Sequence, residues 1–159
     1  MKTRRQLVVD GHALAFYCWY TNEPPSVTKD FLEIVELAIE RNDCDDAVVA
    51  FDPPPPVFRH ALWPTYKAGR PPVPEGFLDD CDSVKTQLAQ QNIFFGYIPD
   101  YEADDVIGSV VTVNESRNVM SVIYTVDMDL LQLVTQLTEV ETFSQYHGLR
   151  KFDLGAVKR

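Results

Sequence analysis

The sequence predicts an α/β domain with a mostly parallel sheet and helices on both faces. Three observations carry this. Short apolar runs, among them "QLVV", "DAVVAF" and "NVMSVIYT", alternate with segments of helical period. That alternation builds a parallel sheet covered on each side. The runs also end beside acids, at Asp10, Asp52 and Asp127. In parallel sheets, ligands gather beyond the carboxyl ends of the strands.

Each element follows in order. The opening "MKTRRQLVVDGHALAF" is basic and then apolar, but Asp10 and His12 interrupt it and no cleavage pattern follows. It reads as a first strand, with "QLVV" ending at Asp10, rather than a signal peptide. "VTKDFLEIVELAIERN" has helical spacing through Phe31, Ile34, Val35, Leu37 and Ala38. "DAVVAF" is a second strand ending at Asp52. "DPPPP" then forces an extended segment. "PEGFLDDCDSVKTQLAQQ" starts a helix at Pro74 and Glu75. "NIFFGYI" is a third strand, and "EADDVIGSVVTV" a helix with an acidic first turn. "NVMSVIYT" is a fourth strand, "DLLQLVTQL" a short helix, "EVETFSQ" a strand and "FDLGAVKR" the start of a last helix. No repeat or long linker divides the chain, so residues 1–159 read as a single domain.

Composition narrows the function. Apolar residues make up 45% and charged residues 24% of the 159, as in ordinary globular proteins. No run of eighteen apolar residues provides a membrane span. Three widely spaced cysteines, Cys18, Cys44 and Cys81, show neither metal nor disulfide spacing, which suits a reducing compartment. The net charge of −10 argues against a general nucleic-acid binder. Yet residues 57–70 hold Arg59, His60, Lys67 and Arg70 without one acid. A local cationic patch is thus set within an acidic chain.

The acids carry the chemistry. Glu102 and Asp105 are three apart on one helical face, with Asp104 in a neighbouring direction. Asp127 and Asp129 form an Asp-x-Asp pair at a strand-to-helix junction. Any one of these could be an ordinary cap or turn acid. Together with Asp10 and Asp52 they make seven carboxylates at one sheet edge. Crowding of that kind calls for a hard divalent ion, Mg²⁺ or Mn²⁺, held by oxygen. Paired ions could activate water and stabilise a leaving oxygen. Nearby, Arg59, Lys67 and Arg70 can contact phosphates, while Trp63 and Tyr66 can stack on bases. His12 reads as structural.

The strings "VVDGHALAF", "VAFDPPPPVFRHALWPTYKAGRPPVPEGF", "IPDYEADDVIGSVV" and "TVDMDLLQLV" occur in order. They resemble the 5′→3′ exonuclease and flap endonuclease family, as in the 5′-nuclease domain of bacterial DNA polymerase I and its phage relatives. The resemblance runs from about residue 6 to 159. It implies a PIN-like (resolvase-like) fold, two divalent-metal sites, a bacterial or phage-encoded cytoplasmic protein, and cleavage of DNA or RNA near 5′ ends, flaps or RNA primers. By position, Asp10, Asp52, Glu102, Asp104, Asp105, Asp127 and Asp129 match metal-site acids. Arg59, Tyr66, Lys67 and Arg70 match the substrate-contacting segment, where Lys67 and Arg70 engage the scissile phosphate.

Tyr17, Met128 and Val126 depart from the family pattern, which usually has Arg, Lys and a small residue there. The segment between Tyr20 and Asp43 is also shorter than usual. After "FDLGAVKR" the family continues into a helix–hairpin–helix element that brings duplex grip and a further metal-site acid. Its expected absence leaves the second metal site short of a ligand. It leaves three readings open: a fragment of a longer protein, a short protein whose partner supplies that grip, or a relative that binds without cutting. Two alternatives stand beside the nuclease: a weak or inactive nucleic-acid-binding subunit of a replication or repair complex, and a Toprim-like phosphoryl-transfer fold. The latter fits "TVDMD" but not "YKAGR".

Overall fold

A computed structural model describes residues 3–23 and 25–157. The strands are Arg5–Asp10 (β1), Asp46–Ala50 (β2), Phe94–Gly96 (β3), Met120–Thr125 (β4), Thr138–Ser144 (β5) and Gly148–Phe152 (β6). They form one sheet in the order β3-β2-β1-β4-β5-β6. Strands β1 to β5 pair in parallel, and β6 runs antiparallel to β5. The helices are Gly11–Thr21 (α1), Val27–Arg41 (α2), Phe58–Leu62 (α3), Phe77–Gln90 (α4), Ala103–Ser116 (α5) and Leu154–Val157 (α6). A 3₁₀ turn covers Met128–Leu133. The α/β architecture expected from the alternating runs is present. No helix among the described residues is long and apolar enough to cross a membrane.

Two apolar layers sandwich the sheet. Leu7 and Val9 of β1, Val49 of β2 and Val122 of β4 face Leu14, Phe31, Val35, Phe77 and Val84 from α1, α2 and α4. Val8, Ile123 and Val140 point the other way, onto Ala103, Ile107 and Val111 of α5 and Leu130. They lie in register across the sheet, Val8 beside Ile123 and Ile123 beside Val140. All three are fully buried. At about 1.5–3 kcal/mol per buried aliphatic side chain, this stack fixes strand order and register together.

Five elements depart from the sequence reading, among them α3, a five-residue helix in the stretch 57–70 that the sequence marks only as cationic. Helix α1 lies where the apolar "GHALAF" was read with the first strand. Its residues are apolar on the buried side, at Leu14, Ala15 and Cys18, and also on the outward side, at Phe16, Trp19 and the exposed Tyr20. A helix apolar on every side shows no amphipathic period. Strand β6 precedes the last helix and reads as loop, since "GLRKF" is exposed and charged. Charges such as Lys151, paired with Glu139 at 2.8 Å, are typical of a protected sheet edge. The short helix expected over 129–137 is a 3₁₀ turn ending at Leu133. Thr135 N–H then bonds the Thr138 carbonyl to start β5. The third strand is cut to three residues at the sheet edge.

Gly11 is required by packing. A Cβ there would lie 2.7 Å from the Phe51 ring and 2.9 Å from the Ala50 carbonyl oxygen. Gly11→Ala is therefore expected to destabilise the fold by roughly 1–3 kcal/mol. Urea unfolding measures this, and an unchanged midpoint would contradict the close approach.

Candidate functional site

Strand β1 lies between β2 and β4, so their carboxyl ends meet where the sheet reverses its winding. Asp10 closes β1, Asp52 lies two residues past β2, and Asp127 two past β4. Helix α5 enters from the opposite loop with its N-terminus aimed at the same edge. Ala103 N–H, in its first turn, donates to Asp52 Oδ1 at 2.8 Å. The positive end of α5 thus meets a carboxylate.

Asp10 is buried. Its Oδ2 accepts from Thr125 Oγ1 at 2.9 Å, and its Oδ1 accepts from Ala13 N–H, capping α1. Burial lifts its carboxyl to about 7, against the Thr125 bond and with help from the charges of Asp104 and Asp52. Asp104 rises to about 6, first by desolvation and then by Asp127, Asp52 and Glu102. These acids therefore feel one another, and the Lys67 charge opposes the rise at Asp104 only in part. The Thr125 hydroxyl also accepts from Asp127 N–H at 3.0 Å, so one side chain joins the ends of β1 and β4. Asp127 Oδ1 in turn accepts from Asp129 N–H at 2.8 Å, opening the 3₁₀ turn. Asp129 is exposed.

Glu102 and Asp105 belong to a second group. Glu102 caps α5 and is buried. Arg59, on α3, grips Asp105 with Nη1 at 2.7 Å and Nη2 at 2.8 Å, and Nη1 also reaches Glu102 Oε2 at 2.9 Å. Tyr66 OH donates to Glu102 Oε2 at 2.8 Å, and Lys67 Nζ bonds Oε1. The Arg59 hydrogen bonds hold the Asp105 carboxyl below its usual value. Burial pushes Glu102 up, but the Lys67 and Tyr66 bonds and the nearby cations outweigh it, leaving a net lowering. Arg70 is exposed, as is Trp63.

The sequence-predicted acids thus reach one edge but divide in two. Asp10, Asp52, Asp104 and Asp127 form no ion pair with a Lys or Arg among the described residues; His12 approaches Asp52 at 3.7 Å, and the Lys67 charge acts on Asp104 without pairing with it. Glu102 and Asp105 are neutralised from within. Among the described residues, no three His, Cys, Asp or Glu side chains are already drawn together as a metal cage. The donor set still suits a hard divalent ion, being all oxygen, with the Asp10 and Asp104 carboxyls raised by burial and by the charge of neighbouring acids. An open groove of about 910 Å³ runs along this edge between Phe58, Tyr101, Asp104, Asp105, Asp129 and Leu130.

Two contributors escaped the sequence reading. Thr125 is one; its only sequence signal is a hydroxyl two residues before Asp127. The other is the manner in which His12 acts. Its Nδ1 accepts from Asp52 N–H at 2.9 Å, which sets the neutral tautomer and pins the loop after β2. Burial lowers its pKa, consistent with that role. His60 likewise caps α3, its Nδ1 accepting from Val57 N–H at 2.9 Å.

Comparison with known proteins agrees with this architecture. The chain is 34% identical over 166 residues to DNA polymerase I of Chloroflexus aurantiacus, an alignment covering 96% of this chain and 18% of the polymerase. The chain therefore spans under a fifth of that relative. The T5 D15 protein, co-crystallised with metal ions, superposes with a TM-score of 0.76 at 20% identity, over 95% of this chain and 58% of that one. The T5 D15 flap endonuclease in a pseudo-enzyme–product complex with DNA and metal ions gives 0.75 at 20% identity, with the same coverage. A family profile described as "5'-3' exonuclease, N-terminal resolvase-like domain" matches residues 5–158, and the chain belongs to that family.

Proposed function

We propose that this chain is the core of a divalent-metal-dependent 5′ nuclease that hydrolyses phosphodiesters in DNA or RNA–DNA near 5′ ends and flaps. The observation that carries the reading is the set of Asp10, Asp52, Asp104 and Asp127, none ion-paired to a Lys or Arg among the described residues, beside a cationic segment that holds Lys67 and Arg70. The T5 relative's complex with DNA and metal ions supports it. Asp10, Asp52, Asp104 and Asp127, joined by Glu102, Asp105 and Asp129, would hold Mg²⁺ or Mn²⁺ at two sites. Such ions supply an activated water and charge stabilisation for the leaving oxygen. Thr125 and His12 orient Asp10 and the Asp52 loop. Lys67 and Arg70 steady the phosphate's growing charge. Arg59, bidentate on Asp105, acts as a positioning residue rather than a free phosphate ligand.

One observation favours a second reading. Arg59 and Lys67 already neutralise Glu102 and Asp105, as in a nucleic-acid-binding subunit with weak or no cleavage. The deciding assay follows a 5′-flap oligonucleotide with Mn²⁺. The nuclease reading expects 5′ product from the wild type and none from Asp52→Asn. Flap binding without product, at any metal concentration, would favour the binding subunit.

A further inference from the structure

Glu102 already accepts three donors. Its Oε1 takes Lys67 Nζ, and its Oε2 takes Tyr66 OH at 2.8 Å and Arg59 Nη1 at 2.9 Å. A carboxylate offers about four acceptor positions, so an incoming cation finds the carboxylate largely committed. The two bound cations are not equivalent. Arg59 holds Asp105 through two nitrogens and keeps that partner if it loses Glu102. Lys67 bonds no second carboxylate among the described residues.

Lys67 also sits at φ 59, a left-handed conformation that a residue with a side chain adopts at a cost. Its segment is a succession of turns. Tyr66 N–H bonds the Trp63 carbonyl, Ala68 N–H that of Thr65, and Arg70 N–H that of Lys67. Local bonds of this kind do not fix the segment on the domain. The Tyr66 and Lys67 side chains tie it to the N-terminus of α5 through Glu102.

We infer that Lys67 is a built-in placeholder at Glu102: it pairs with this carboxylate in the metal-free chain and must release it when Glu102 takes up a divalent ion. The inference rests on the metal reading given above. Release leaves the ammonium free for a phosphate and loosens the 63–70 segment. Metal loading and exposure of the phosphate-binding lysine are thereby one event.

The test titrates the full chain with Mn²⁺ alone by calorimetry, as wild type, Lys67→Met and Arg70→Met. Amide hydrogen exchange over residues 63–70 is followed in the wild type with and without Mn²⁺. Lys67→Met should bind Mn²⁺ roughly tenfold more tightly, because a charge-assisted competitor is gone. Arg70→Met removes the same charge from an exposed side chain and should stay within about twofold of wild type. Exchange over 63–70 should speed up on Mn²⁺ addition. Equal affinities for wild type and Lys67→Met, equal tightening by Arg70→Met, or unaltered or slower exchange would each overturn the placeholder while leaving the metal reading intact. Absence of Mn²⁺ binding in all three proteins would overturn both.

Discussion

Asp10→Asn is expected to stabilise the metal-free protein at pH 8 by up to about 4 kcal/mol, and to change little at pH 3. The unfolded carboxyl titrates near its ordinary 3.8, whereas burial lifts the folded one to about 7. Each unit of such a shift is worth about 1.4 kcal/mol. The sign follows from linkage. A raised folded pKa means that the folded chain holds its proton more tightly. The relative stability is fully present below pH 3.8 and is lost as pH rises to about 7. Asparagine has no proton to lose; its amide oxygen can still accept the Thr125 hydroxyl, at the cost of the long 3.4 Å cap from Ala13 N–H, which offsets part of the gain. Urea unfolding in chelator across this pH range measures the effect. A variant no more stable than wild type at pH 8 would mean that Asp10 ionises without cost. On the proposed function the same substitution removes a metal ligand, so a more stable and less active protein is expected.

Arg59→Ala should act in the opposite direction, destabilising the metal-free chain by about 2 kcal/mol at pH 7. The guanidinium makes two bonds to Asp105 and one to Glu102, with 30% of its side chain exposed. Loss of a charge-assisted, bidentate partner strands Asp105 and takes one of three donors from Glu102, which keeps Lys67 and Tyr66; partial exposure holds the penalty below that of a fully buried pair. Here the folded carboxyls lie below their ordinary values. Their contribution is present above the unfolded values of 3.8 and 4.5, and is lost as pH falls through the depressed folded ones. The gap between wild type and Arg59→Ala should therefore close in acid. A gap of equal size at pH 2.5 and pH 7 would assign the loss to packing of Arg59 over the Phe58 ring, 4.6 Å away. Arg59→Lys should recover only part of it, since an ammonium cannot bridge both oxygens in a plane.

Together the two variants separate the halves of the site. One half stores unfavourable charge, and the other has already discharged it internally. Asp10 and Arg59 sit on opposite sides of that divide. Metal uptake would relieve the first half and compete with the cations of the second.

The sequence by itself determined the alternation of strands and helices, the parallel sheet and the arrival of the acids at one edge. These depend on periods and strand ends that each segment carries locally: the buried runs ending at Asp10, Asp52 and Thr125, and the acidic first turn of α5. Helix α1 and strand β6 were not legible. One is apolar on its outward side as well as its buried one and the other is exposed on an edge, so neither shows an apolar stripe against a polar face. Only the tertiary structure decided which acids stand free and which are paired. The spacing of Glu102, Asp104 and Asp105 makes them look like one cluster. Yet Arg59 lies 43 residues from Glu102 and 46 from Asp105 along the chain, and it takes those two while leaving Asp104. Pairing over such distances depends on where the loop after β2 folds back over α5, and local pattern does not carry that.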